Sequence, residues 1–267
     1  MSTSPSVGLV LSGGAARGIA HVGVLQAFSE WKLPIHAVAG TSMGAIVGAF
    51  FAAGIPPKGM LEILRNDRRF IDRFQFRLLS TGLLNMSFLQ DVLEEYIGLP
   101  HLEDLKLPLH VAATNLNTGE TRYFHEGPLG PAISASAAIP VLFAPQVIDG
   151  QSYVDGGLTN NLPTDPLRAT HDLLIGVHVN YQADMHRFEG MGEIATRCFS
   201  MAIYQTVKER RAACDLLIEP PETRDFALFD FDEAQALYET GYRAAQHIRQ
   251  QGHPVLTQLL EGSERVG

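Results

Sequence analysis

The segment Gly40-Thr-Ser-Met-Gly44 places a serine between two glycines, each two residues away. That spacing suits a turn too tight for Cβ atoms on its flanks, which lifts the serine hydroxyl clear of the backbone. Ile35–Ala39 before it is an apolar run of strand type. Ser42–Ala53 after it is rich in small apolar residues at helical spacing. A strand–turn–helix setting makes Ser42 a candidate nucleophile, with Gly40 and Gly44 forming its elbow. The positive end of the following helix would then face the reacting atoms. The competing reading is an ordinary helix cap.

Two further motifs carry possible chemistry. Ser12-Gly-Gly-Ala-Ala-Arg-Gly18 joins an apolar strand, Val7–Leu11, to a helical pattern over Gly18–Lys32. A glycine-rich strand–helix turn exposes N–H groups to an anion, either a dinucleotide phosphate or the oxyanion of an ester intermediate. Two features disfavour the dinucleotide. Ala15 stands where the middle glycine of G-x-G-x-x-G would be, and the second strand ends in Ala39-Gly40 rather than an acid. The third motif, Asp155-Gly156-Gly157, is by itself an ordinary turn signal. The histidines offer no clear catalytic loop: His178 lies in an apolar strand pattern and His247 in a C-terminal helical one.

The elements that would position these groups alternate from the first residues. Further strands are expected at His110–Ala113 and Leu173–Val179. Helices are expected from Ser87 to Ile97, opened by a Ser87–Gln90 capping box, and over Asp232–Gln250. Such alternation predicts an α/β protein: a three-layer α/β/α sandwich around a mainly parallel sheet. A standard α/β-hydrolase fits poorly, because several strands precede the elbow there and only one strand precedes the elbow strand here.

Taken together, Gly13-Gly14-Ala15-Ala16-Arg17-Gly18, Gly40-Thr-Ser-Met-Gly44 and Asp155-Gly156-Gly157 resemble the patatin-like phospholipases in order and spacing. The bacterial members and neuropathy target esterase look most similar. Supporting stretches are His21–Leu25, Ser134–Pro140 with Phe143–Pro145, and the continuation Leu158–Pro163. The resemblance covers about residues 7–180. It implies a patatin-like α/β/α core and a Ser42–Asp155 dyad acting without histidine. It also implies an oxyanion hole in the Gly13–Gly18 loop, and neither cofactor nor metal. Lipid esters or lysophospholipids are the implied substrates, cleaved through an acyl-enzyme; a catalytically idle partner-binding protein is the alternative. Ala15 departs from the third glycine of many members, with little consequence expected if its φ is negative. Arg17 is expected to orient the loop or to meet a substrate phosphate.

Composition bounds the rest. The chain has 267 residues, and 46% apolar with 18% charged residues is the balance of a folded enzyme. A formal charge of −9 argues against nucleic acid as a partner. One domain is expected over 1–267, with a helical C-terminal part at about 181–267 that no motif covers. Met1–Val7 lacks the features of a signal peptide. The longest apolar run, Met43–Ile55, is shorter than the roughly 20 residues of a membrane span. Cys198 and Cys214 are expected to be buried, reduced thiols, in keeping with a cytoplasmic setting. Acids crowd Asp215–Glu239, as expected for a solvated face. Arg65, Arg68, Arg69, Arg73 and Arg77 alternate with Phe70, Ile71, Phe74, Phe76 and Leu78. That stretch reads either as packing with a solvated side or as a flap touching anionic lipid at the inner membrane face. Oligomeric state is not legible.

Overall fold

The computed structural model describes residues 5–67, 69, 84–181, 187, 188 and 190–264. Its centre is one eight-stranded sheet in the order β5-β6-β3-β2-β1-β7-β8, with β4 pairing β3. The strands are β1 Val7–Leu11, β2 Ala37–Thr41, β3 Leu109–Asn115, β4 Thr121–Phe124, β5 Gln146–Ile148, β6 Gln151–Asp155, β7 Leu173–Val177 and β8 Leu216–Ile218. Pairings β3–β2, β2–β1, β1–β7 and β7–β8 are parallel, whereas β6 and β4 run antiparallel to β3. The helices are α1 Ile19–Glu30, α2 Met43–Ala53, α3 Pro57–Asn66, α4 Ser87–Tyr96, α5 Leu129–Ala137, α6 Asp165–Arg168, α7 Met191–Lys208, α8 Ala234–Gln250 and α9 Pro254–Glu264.

Both sheet faces are covered. Val7, Leu9 and Leu11 of β1 join a core with residues of α1–α5, α8 and α9, while Val10 turns to the other face with Leu167 of α6 and Val207 of α7. This alternation follows from the two-residue period of a strand. It gives the three-layer α/β sandwich that the strand–helix alternation predicts. The C-terminal part is helical but also supplies β8. Its α8 crosses α1 at very close range: a Cβ on Gly23 or on Gly241 would overlap the backbone of the opposite helix. Neither helix tolerates a side chain at that crossing.

Several sequence expectations need correction. The second strand begins at Ala37, not Ile35. His36 is instead the entry residue, its Nδ1 accepting the Val7 N–H at 2.9 Å. β7 stops at Val177, and Val179 leaves the ladder to donate to Ser12 Oγ at 3.1 Å. The expected capping box at Ser87 does not form. The Ser87 N–H donates instead to Asn85 Oδ1 at 2.9 Å, so the residue two positions earlier satisfies the helix start. Cys198 is exposed and Cys214 half-buried, contrary to the expectation of two buried thiols. Within the acidic run, Asp215 and Glu219 are not simply solvated. Asp215 pairs with Arg168 at 2.7 Å and accepts the Leu174 N–H, and Glu219 pairs with His178 and Arg211.

Arg68 and the residues from Phe70 to Leu78 lie outside the described residues. Of the arginines named there, Arg65 lies in the last turn of α3, and Arg69 is tied to Asp67 and Glu95. Among the described residues, no helix is long and apolar enough to cross a membrane.

Candidate active site

Three loops at the ends of β1, β2 and β6 meet at Ser42. β2 delivers the serine directly after Thr41, and α2 begins at Met43. Ser42 has φ 54° and ψ −123°, a sparsely populated conformation for a residue with a side chain. Such a conformation costs about 1–3 kcal/mol and persists only where its surroundings enforce it. Those surroundings are visible. A Cβ on Gly40 would stand 2.5 Å from the Gly44 carbonyl oxygen, and one on Gly44 would stand 2.5 Å from that of Ser12. Both glycines are therefore required by space, as their spacing predicts. The Ser42 N–H donates to Ser136 Oγ at 2.8 Å, and Thr41 Oγ1 donates to the Asn160 carbonyl at 2.8 Å.

Asp155 ends β6 opposite Ala113 of β3. Its N–H donates to the Ala138 carbonyl at 2.9 Å, and its own carbonyl accepts from Thr114 Oγ1 at 2.9 Å. Gly156 lies so close to the Ala112 carbonyl that no side chain fits there. The Asp155 side chain is 4% exposed, and its Oδ1 accepts the Gly157 N–H at 2.8 Å. Burial pushes its carboxyl up to about 6. The nearby Ser42 hydroxyl and the hydrogen bond from the Gly157 N–H act in the opposite direction. The structure thus sets the Ser42 side chain beside the Asp155 carboxyl, although 113 positions separate them in the chain.

The glycine loop lies against this pair. A Cβ on Gly13 would be 3.2 Å from Ser42 Cβ, and one on Gly14 would be 2.7 Å from Val179 Cγ2. The Gly13 N–H is committed to the Asn161 carbonyl (3.2 Å) and the Ala16 N–H to that of Leu228 (2.9 Å). Among the described residues no acceptor meets the N–H of Gly14 or of Ala15. Ala15 has φ 47°, the left-handed region that glycine favours, so of the two cases set by the sign of φ it is the one in which an alanine carries a real cost. Gly18 caps the start of α1, packed against the Met43 side chain.

Arg17 is occupied within the protein. Its Nε and Nη2 donate to the Phe226 carbonyl (2.9 and 2.7 Å), and its Nη1 donates to Asn180 Oδ1 (3.1 Å) and the Tyr181 carbonyl (3.3 Å). Of its two expected roles, this geometry serves loop orientation.

Among the described residues no histidine nitrogen is hydrogen-bonded to Ser42. His21 is wholly buried, and its Nε2 is 2.8 Å from the Ser12 carbonyl. Because a carbonyl only accepts, the ring must donate there. Burial lowers its pKa to about 4, so it is neutral at physiological pH. His178 is held by Glu219 at 2.8 Å, and His247 lies beside Gln251 on α8.

Sequence reasoning missed a second set of residues. Asn161 donates through Nδ2 to the Gly13 carbonyl (3.4 Å), and its N–H donates to Thr206 Oγ1 of α7 (3.0 Å). It therefore clasps the glycine loop to the turn after Asp155. Asn160 is anchored from below by Tyr123 (2.7 Å) and Asp165 (2.6 Å). Both asparagines lie in the Leu158–Pro163 stretch, but nothing in their spacing distinguishes a clasp from a polar turn.

A family model described as patatin-like phospholipase matches residues 9–168. An uncharacterized NTE family protein of Mycobacterium tuberculosis is 38% identical over 185 residues, covering 67% of this chain and 50% of that protein. The lysophospholipase NTE1 of Mycosarcoma maydis is 28% identical over 296 residues, covering 97% of this chain and 15% of that protein. The chain spans half or less of the length of these relatives. Among solved structures, VipD from Legionella pneumophila aligns with a TM-score of 0.52 at 17% identity, covering 98% of this chain and 67% of that one. That likeness is one of fold.

Proposed function

Since the chain belongs to the patatin-like phospholipase family, we propose that it is a serine acyl hydrolase of lipid esters, with Ser42 as nucleophile and Asp155 as its base. The observation that carries this reading is the nearness of the Ser42 side chain to the buried Asp155 carboxyl, beside the Gly14 and Ala15 N–H groups that meet no acceptor among the described residues. Phospholipids and lysophospholipids are the substrate class we favour, in keeping with a relative named as a lysophospholipase.

The chemistry runs in two halves. Asp155 takes the hydroxyl proton as Ser42 Oγ bonds to the ester carbonyl carbon, and the carbonyl oxygen becomes an oxyanion. The N–H groups of Gly14 and Ala15 and the N-terminus of α2 stabilise that charge; one such donor is worth about 2.7–4 kcal/mol of barrier. The intermediate collapses, the C–O bond to the alcohol breaks, and Asp155 returns its proton to the leaving oxygen. Water, deprotonated in turn by Asp155, then attacks the acyl-serine carbonyl carbon; the bond to Ser42 Oγ breaks, Asp155 returns the proton to that oxygen, and the fatty acid is released. A carboxyl at about 6 suits this cycle: it is ionised at neutral pH yet more basic than an exposed aspartate.

The test is Ser42→Ala in folded protein. Turnover of a p-nitrophenyl ester and of lysophosphatidylcholine should vanish together with labelling by a fluorophosphonate probe. Turnover above a few per cent of the native rate would remove Ser42 from the mechanism. If native protein neither turns over esters nor takes the label, it is a partner-binding scaffold instead.

A further inference from the structure

Two serines on α5, Ser134 and Ser136, are completely buried. They differ in what they touch. Ser134 Oγ has no hydrogen-bond partner. Ser136 Oγ donates to the Ala112 carbonyl at 2.6 Å and accepts the Ser42 N–H at 2.8 Å. The Ala112 carbonyl is the group against which Gly156 packs, immediately after Asp155. One hydroxyl thus bonds the nucleophile's own peptide and the carbonyl on which the aspartate turn rests.

Ser42 precedes the first residue of α2, where N–H groups have no partner inside the helix. Left unpaired in this buried setting, its N–H would carry an uncompensated desolvation cost, and the peptide would be free to turn. The Ser42 backbone also holds an unfavourable φ of 54°, which must be enforced from outside the residue. Ser136 supplies that enforcement from a different helix.

We propose that Ser136 is a positioning residue for ester hydrolysis: its hydroxyl locks the Ser42 peptide and sets the approach of Ser42 Oγ to Asp155. It touches no reacting atom. It also withdraws the Ser42 N–H from the oxyanion donors, leaving those of Gly14 and Ala15. This inference rests on the Ser42–Asp155 reading above.

Ser134→Ala is the matched control, because it makes the same change at the same burial on the same helix without breaking a hydrogen bond. Each variant is compared by kcat per active site titrated with a fluorophosphonate, by KM, and by the acidic limb of the kcat profile. Ser136→Ala should lose about 10²-fold in kcat, as expected for a misplaced nucleophile, with KM nearly unchanged. Its acidic limb should move to higher pH, because the Ser42 hydroxyl, whose nearness lowers the Asp155 pKa, is displaced. Ser134→Ala should stay within about twofold of native in kcat.

A merely structural Ser136 would lower Tm while leaving kcat per titrated site and the limb where they are, and that result overturns the proposal. Equal losses in both variants overturn it as well. If Ser136→Ala does not fold, Ser136→Cys takes its place, because a thiol fills the site but bonds weakly. Native kcat and an unmoved limb in that variant also refute the inference. Turnover retained by Ser42→Ala would defeat the dyad itself. A dead Ser42→Ala beside a native-like Ser136→Ala would defeat only the role of Ser136.

Discussion

Replacing Asp155 by asparagine should make the folded protein more stable at neutral pH while silencing it. The carboxyl is 4% exposed, and burial is the largest influence on it, carrying its pKa from 3.8 to about 6. That difference corresponds to about 3 kcal/mol of native-state destabilisation once the group is ionised. Between those pH values the folded state binds more protons than the unfolded one, so the contribution of Asp155 to stability falls as pH rises through about 6. Below 3.8 the group is protonated in both states and the penalty is absent.

Asparagine keeps an oxygen for the Gly157 N–H and removes the charge. It also weakens the charge-assisted hydrogen bond from the Gly157 N–H and the pull of the nearby Ser42 hydroxyl, which offsets part of the gain. A net increase of about 1–2 kcal/mol at pH about 7.5 is expected by urea unfolding, shrinking towards zero near pH 3.8. Ester turnover should fall by about 10²-fold or more, the range for loss of a positioned base. On the proposed mechanism the native protein should show an acidic limb in kcat near pH 6. A variant less stable than native at pH about 7.5, or a stability difference that ignores pH, would refute the burial argument.

Two other substitutions probe the glycine loop. Ala15→Gly relieves a φ of 47° and should raise unfolding free energy by up to about 1 kcal/mol, read by urea denaturation; a loss of stability would show that the alanine methyl packs usefully. His21→Gln removes a buried imidazole whose pKa is lowered from 6.5 to about 4 by burial, so the stability it contributes is present above 6.5 and lost as pH falls towards 4. Tm measured across that window should therefore depend less on pH in the variant, and an unchanged slope would count against a buried neutral His21.

The features legible in the sequence were those dictated by local sterics and period. Gly40 and Gly44 announce a turn whatever surrounds them, and β1 was readable from its apolar run because both of its faces are covered. What stayed hidden depends on contacts between distant segments. Nothing near Ser136 says that it, rather than Ser134, bonds the Ser42 peptide; that follows from how α5 lies on β3. The left-handed Ala15 was hidden because its conformation is imposed by neighbours, including the Leu228 carbonyl that holds Ala16. Cys198 and Cys214 departed from their residue type's habit because α7 turns one outward and the other lies at the entry to β8.

The brace at Phe226–Leu228 changes where the functional unit of this chain ends. The family model stops at residue 168, yet carbonyls some sixty positions later, at 226 and 228, hold Arg17 and Ala16. A fragment cut at the motif boundary would keep Ser42 and Asp155 and lose the carbonyls that hold the Gly13–Gly18 loop. Swapping the tail between relatives would in turn transplant loop geometry without touching a signature residue. The segment with no motif thus becomes a place where the geometry of that loop can be altered, by evolution or by design, with every signature residue left in place.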